Sequence, residues 1–334
     1  MSSSKTATSP RRVLMKSNTL PLALRIRIWA GRYVYLGRNE YGMGNVKRLP
    51  FTKIVKLNTT LNEVEAMEYV RKHTSIPVPK VYKVYERPDG TVHILMEFIP
   101  SDGADYMAMS PAQIKSYGEQ LADYLQQLRS LKPPEAGFIG SVNRKPLVDY
   151  RTGQVPFGPF PSVDNFHAYL RLGGPLEGWL YDPVVKTVHG RSGEYCVKFT
   201  HADLNPRNIQ YRNGRITGII DWECAGWYPE YWEYTKMWYD ERPPYKTFFD
   251  AIEGTAAIEK YPEELEAECD IRRRISSWRL ESFYDDPKNI AAFYRSIGLE
   301  QGQVGESVAT NGSRGSATGM GAQTTGNDPA GNTC

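Results

Sequence analysis

The chain has 334 residues, 40% of them apolar and 12% aromatic, enough for a real core in one large domain or two lobes. No apolar run approaches the roughly 18 residues of a membrane span, and no segment has the apolar middle and small-residue cleavage site of a secretory signal. The four cysteines, Cys196, Cys224, Cys269 and Cys334, make no metal-ligand spacing, so free thiols in a reducing compartment are expected.

The net charge of +3 is unevenly spread. Residues 1–60 carry 12 Lys/Arg and one acid, Glu40, whereas the remainder carries 29 basic and 37 acidic residues. Residues 221–270 alone hold 14 acids against 4 bases. Such a division suits a polyanionic nucleotide at one side and a cationic or neutral substrate at the other. Solvated faces account for it equally well.

Taken in order, residues 1–18 are Ser/Thr-rich, basic and aperiodic, and read as a disordered tail. An acid-free start with Arg and Ser also fits a mitochondrial transit peptide, although no clean amphipathic helix precedes Pro21. Residues 22–29 fit a strand by the alternation at 24–28 and a helix by Leu24 and Ile28. Residues 33–36 read as a strand, followed by a Gly-containing loop at 37–44. Residues 46–49 and 53–57 then read as strands. That loop is not a G-x-G-x-x-G, so its glycines point only weakly to phosphates.

Residues 61–73 have helical spacing, with Glu63, Met67 and Val70 on one face and Glu65 and Glu68 elsewhere. A glutamate on an apolar face needs a partner. Lys56, on the preceding strand, is the natural one; the alternative is that Glu63 merely complements the helix dipole. Pro77 and Pro79 end the helix. Residues 81–86 and 91–98 read as strands around Pro88-Asp89-Gly90, and residues 96–100 as an extended connector.

Ser110 and Pro111 start a helix to about residue 131, with Ile114, Tyr117, Leu121, Tyr124, Leu125 and Leu128 as its core stripe. Residues 133–161 form a long Gly/Pro-rich loop. Residues 166–172 read as a short helix and 195–199 as a strand. Helices are expected at 231–239, 245–258, 262–280 and 289–297, with Phe249, Ile252 and Ala256 at core spacing. Residues 301–334 contain eight glycines and no aromatics, and read as disordered.

The stretch His201-Ala202-Asp203-Leu204-Asn205-Pro206-Arg207-Asn208 precedes Asn213-Gly214, a strong hairpin turn signal. An unbroken ladder places Arg212 opposite Arg215 and Asn208 opposite Ile219, with Asp221 two residues beyond. Asn208 and Asp221 then meet at the open end of the hairpin, where an amide oxygen and a carboxylate suit Mg²⁺. Asp203, in the preceding loop, can orient or deprotonate a hydroxyl. His201 reads as an oriented structural histidine. The pattern H-x-D-L-x-x-x-N with a strand-end Asp is that of a kinase-type phosphotransferase.

These residues resemble the aminoglycoside phosphotransferase/choline kinase branch of the protein-kinase-like fold, in particular the large fungal set called phosphotransferase-enzyme-family proteins. The resemblance rests on Arg48-Leu49-Pro50-Phe51, Ile54-Val55-Lys56, Asn62-Glu63, the run from Thr74 to Pro79, the run from Met96 to Pro100, the run from Thr200 to Asn208, and Ile220-Asp221-Trp222-Glu223. Gly226, Pro229 and Glu233 extend it. Ala202 stands where family members very often have Gly, and Val64 where Ala is common. The resemblance implies an α+β, two-lobed fold: a small antiparallel-sheet lobe with one helix over residues 19–98, and a larger, mainly helical lobe over residues 99–300.

It further implies Lys56 on the nucleotide phosphates, Glu63 orienting Lys56, backbone groups around Glu97 and Ile99 reading the adenine edge, Asp203 as catalytic base, and Asn208 and Asp221 on Mg²⁺. ATP would be the donor and a hydroxyl of a small molecule the acceptor, with neither nucleic acid nor membrane as partner and a cytoplasmic location. A pseudokinase or nucleotide-binding module without turnover is the alternative. A metal-dependent hydrolase would need more His or carboxylate ligands than the five scattered histidines suggest.

Overall fold

The computed structural model describes residues 10–35, 44–102, 109–239, 245–253 and 259–299. The loop expected at 37–44 therefore lies almost wholly outside the described residues, as do Ala256 and the tail at 301–334.

The first lobe is a five-stranded sheet with a helix on each face. Its strands are β1 (Arg11–Leu14), β2 (Val46–Leu49), β3 (Lys53–Thr59), β4 (Val81–Glu86) and β5 (Val92–Glu97), in the order β1-β4-β5-β3-β2. The helices are α1 (Leu22–Val34) and α2 (Leu61–His73). Strand β5 is central, and its near-continuous apolar run follows from burial on both sides. Val92, Ile94 and Met96 pack with Met67 and Val70 of α2, while Leu95 packs with Leu24 of α1, Leu49 and Val55. Each fully buried Val or Met side chain contributes about 1.5–3 kcal/mol relative to exposure.

The α+β, two-lobed expectation agrees with this architecture, but three local readings do not. Arg11–Leu14, placed in a disordered tail, pairs parallel with β4, so the sheet is not wholly antiparallel. Tyr33 and Val34, read as the start of a strand over 33–36, belong to helix α1, and among the described residues the lobe has two helices rather than one. The helix prevails because Gly31 lets it lie directly on β2: a Cβ there would sit 2.1 Å from the Arg48 carbonyl oxygen.

The second lobe begins with α3 (Pro111–Ser130), closed at its start by a capping box between Ser110 and Gln113. The expected loop at 133–161 instead contains a hairpin of β6 (Leu147–Asp149) and β7 (Gly153–Phe157). Helices α4 (Val163–Leu170) and α5 (Pro183–Gly190) follow, then β8 (Val197–Thr200), β9 (Ile209–Arg212), β10 (Arg215–Ile219) and β11 (Gly226–Pro229). The chain continues through α6 (Trp232–Trp238), α7 (Tyr245–Glu253), α8 (Pro262–Arg274), α9 (Ser277–Tyr284) and α10 (Pro287–Ser296). The helix expected at 262–280 breaks before Ser276, whose hydroxyl accepts from the Arg279 amide to start α9. Helix α2 ties the lobes together: Asn62 Nδ2 donates to the carbonyl oxygens of Glu223 and Ala225, both at 3.0 Å.

Candidate active site

The loop from β8 to β9 carries Asp203 and is held from behind. Glu233 of α6 accepts from the backbone N–H of His201 (2.6 Å) and of Ala202 (3.2 Å). Ala202 sits at φ +63°, the left-handed conformation that glycine adopts without cost, so the alanine is tolerated there at some strain. Burial, opposed by those two N–H bonds, pushes the Glu233 carboxyl up to about 7. His201 Nδ1 accepts from the Asp203 N–H at 3.2 Å, which assigns the ring proton to Nε2, 2.9 Å from the Ile220 carbonyl oxygen. Burial lowers the imidazole pKa and keeps it neutral, as a structural histidine should be.

Asp203 is ringed by donors. Its carboxylate accepts from Asn205 Nδ2 at 3.1 Å and Asn208 Nδ2 at 2.9 Å, and Arg207 Nη2 lies 3.5 Å away. Because Asn208 uses its Nδ2 on Asp203, its Oδ1 is left as the acceptor available to a cation.

The hairpin register differs by one residue from the expected ladder. Arg212 does face Arg215, and Asn213 and Gly214 both have positive φ. A bulge at Thr217 then shifts the pairing, so Ile219 faces Ile209 and the Ile220 N–H donates to the Asn208 carbonyl oxygen at 2.9 Å. Gly218 marks the place, since a Cβ on it would lie 2.4 Å from Ile99 Cδ1. Asn208 and Asp221 still end together, with Asp221 at φ +69° where the strand gives way to a short 3-10 turn.

Asp221 meets Lys56 of β3. The ammonium Nζ lies 2.5 Å from Asp221 Oδ1, 2.9 Å from Glu63 Oε2 and 3.3 Å from Glu223 Oε2. Glu65 turns elsewhere, toward Lys145 at 3.7 Å. Burial would lower the Lys56 pKa, but the three carboxylates more than reverse this and hold it above its usual range. One ammonium cannot neutralise three acids. The most deeply buried of them shows the excess: burial, against the pull of Lys56, pushes Glu63 up to about 7. Thr59 Oγ1 lies 2.5 Å from Glu63 Oε2 and 3.2 Å from Glu223 Oε2, bridging the two acids.

Glu223 and Tyr150 belong to this cluster and are absent from the sequence-derived set. Tyr150, at the tip of the β6–β7 hairpin, donates to Glu223 Oε1 at 2.6 Å. Burial, and then that bond, raise the phenol pKa. An acid two residues after Asp221 was a usable signal for Glu223; nothing in the Gly/Pro-rich loop singles out Tyr150.

A cavity of about 380 Å³ opens between the lobes, lined by Ile54, Lys56, Glu63, Met96, Glu97, Ile99, Asn208 and Asp221 among others. Glu97 and Ile99 form its joint wall, where Glu97 Oε2 accepts from the Lys80 N–H at 3.1 Å. Asp203 is not among the residues lining the cavity and is joined to it through Asn208, whose Nδ2 donates to its carboxylate at 2.9 Å. Carboxylate oxygens of Glu63, Asp221 and Glu223 lie within 4.8 Å of one another. With the Asn208 amide oxygen, this all-oxygen donor set fits a hard divalent cation such as Mg²⁺, although it surrounds the Lys56 ammonium here.

Among the described residues, many acids of the run after Asp221 are paired. Glu230 and Glu259 approach Arg129, Glu253 pairs with Lys260, Glu263 and Glu264 with Arg191, and Glu268 with Arg151.

The sequence matches the profile of the phosphotransferase enzyme family over residues 46–267. No curated protein matches it. Among similar solved structures is aminoglycoside phosphotransferase APH(2")-IIa bound to gentamicin, with 14% identity, 86% of this chain and 99% of that chain covered, and a TM-score of 0.49. A thermostable mutant of aminoglycoside phosphotransferase APH(4)-Ia, in ternary complex with ADP and hygromycin B, gives 13%, 80%, 90% and 0.44 for the same quantities. Aminoglycoside phosphotransferase APH(3'')-Id from Streptomyces rimosus gives 16%, 68%, 87% and 0.39.

Proposed function

This chain belongs to the phosphotransferase enzyme family, and we propose that it transfers the γ-phosphoryl group of ATP to a hydroxyl of a small molecule. One observation carries the reading. The Lys56 ammonium is buried between Glu63 of α2 and Asp221 at the cavity floor, with Asn208 beside it and Asp203 just beyond. A fixed cation at the wall of an interlobe cavity, and a carboxylate bonded to Asn208 of the same wall, are the two ends an in-line transfer needs.

In this reading Ile54, Met96 and Ile99 enclose the base, and the backbone around Glu97 and Ile99 reads its edge. Lys56, oriented by Glu63, holds the phosphates and offsets charge that builds in the transition state. Asn208 and Asp221, with Glu223 as a further oxygen donor, hold Mg²⁺, which supplies charge neutralisation when bound. Asp203 accepts the proton of the attacking hydroxyl, its carboxylate aimed by Asn205 and Asn208. Glu233 is a positioning residue that fixes the Asp203 loop. The acceptor is left open by this geometry.

The test is ADP release from ATP and Mg²⁺ against a panel of amino sugars, amino alcohols and sugars, with the phosphorylated product identified by mass spectrometry. Acceptor-dependent release with a phosphorylated product supports the transfer. Tight, Mg²⁺-dependent ATP binding with no release across the panel would support a nucleotide-binding module instead. Absence of ATP binding would overturn both readings.

A further inference from the structure

Helix α1 presents an apolar stripe to solvent. Leu22, Ile26, Trp29 and Tyr33 are 69%, 55%, 59% and 61% exposed. They stand at i, i+4, i+7 and i+11, within an arc of about 60°. Only Leu24 and Gly31, on the opposite side, are buried against the sheet. The Trp29 and Tyr33 rings lie 4.7 Å apart on the outer face. Beside the helix end, Tyr35 Oη donates to the Phe51 carbonyl at 3.0 Å, holding a hairpin tip whose own phenyl ring is 81% exposed. A surface of this kind costs solubility unless something covers it.

Its charge indicates what. Arg25 and Arg32 flank one side of the stripe, and among the described residues neither forms an ion pair. Residues 10–35 carry Arg11, Arg12, Lys16, Arg25, Arg27 and Arg32 and no acid at all. A second copy of the same face would bring these arginines against each other. Residues 301–334, with eight glycines and no aromatic, could not fill an aromatic stripe. A bilayer surface rich in anionic headgroups meets both requirements, since Trp and Tyr settle at the headgroup level and Arg pairs with the lipid phosphates and carboxylates. No helix among the described residues is long and apolar enough to cross a membrane, so the contact would be one of lying on the surface.

We propose that α1 is a peripheral membrane-binding helix: its Leu22/Ile26/Trp29/Tyr33 stripe inserts into the interface of an anionic leaflet, and Arg25 and Arg32 engage the headgroups. This corrects the expectation of no membrane partner only for contact at the surface; a helix lying on a leaflet needs no spanning segment.

The test is co-sedimentation of the full chain with phosphatidylcholine vesicles and with phosphatidylcholine–phosphatidylserine vesicles, at low and high salt. Binding to the mixed vesicles alone, weakened by salt, is expected. Arg25→Ala and Arg32→Ala should each weaken it by about fivefold, and Ile26→Ser with Trp29→Ser by at least about tenfold. Circular dichroism and thermal melts check that these variants fold, and a fluorescence shift lost in Trp29→Phe reports insertion independently. Equal binding to neutral and anionic vesicles, or no binding to either, overturns the proposal. So does self-association in solution that the Ile26→Ser/Trp29→Ser pair abolishes without vesicle binding, which would make the stripe an interface between copies of this chain.

Discussion

Two helices of 13 residues flank the same sheet and break opposite rules. Helix α2 buries two glutamates, Glu63 and Glu65, along with Val64, Ala66, Met67 and Val70. Helix α1 leaves Leu22, Ile26, Trp29, Tyr33 and Val34 in solvent. A buried charge persists only where a partner compensates it: in α2 Glu63 has Lys56, which lines the cavity, and Glu65 has Lys145. An exposed apolar stripe persists only where it serves something outside the molecule. The first anomaly is resolved within the chain and marks the site; the second is not resolved within it and marks a surface.

The contrast can be broken most forcefully at Lys56. Lys56→Met leaves three carboxylates facing one another and should destabilise the fold by about 3–5 kcal/mol in urea unfolding, with phosphotransfer lost. Adding Glu63→Leu should recover most of that stability and none of the activity. Recovery of both would show that the pair is merely structural.

Glu233→Gln removes one of the two acceptors that hold the His201 and Ala202 amides. A loss of about 1.5–3 kcal/mol is expected, together with a lower turnover number at little-changed ATP affinity. Glu233 and Glu63 both titrate near 7 in the fold, above an ordinary glutamate. Between about pH 4.5 and pH 7 the folded state therefore binds more protons than the unfolded chain. Stability should fall as pH rises through that window and level off above it. Urea midpoints measured across the range should show this slope, and Glu233→Gln should reduce it.

At α1 the expected effects are smaller and divide by face. Gly31→Ala drives a methyl group into the Arg48 carbonyl and should cost about 1–3 kcal/mol. Trp29→Ser, on the outer face, should change the melting free energy by no more than about 0.5 kcal/mol. A large loss from Trp29→Ser would mean that the stripe packs within this chain after all.

What the sequence makes legible follows from the range of the forces. The Lys56–Glu63 pairing could be read because helical periodicity puts Glu63 on an apolar face, and an acid there demands a partner. The Asp203–Asn208 loop could be read because its spacing is local. The hairpin was legible at its turn but not at its open end, since the bulge at Thr217 answers to Ile99, more than a hundred residues away. Helix α1 was left open between helix and strand because only Leu24 and Gly31 are fully buried on its inner face, too few for a clear amphipathic signature. Tyr150 and the pairing of the late acids with Arg129, Arg151 and Arg191 are wholly tertiary. Composition sees those acids as a charged run, whereas the fold disperses them into ion pairs.

The most direct test of the central claim is label transfer from γ-³²P ATP to an identified acceptor by wild type and Asp203→Asn, with ATP affinity measured on the same preparations. The account predicts affinity within about threefold of wild type and transfer reduced by about 10²- to 10⁴-fold. Transfer at the wild-type rate in Asp203→Asn would contradict it.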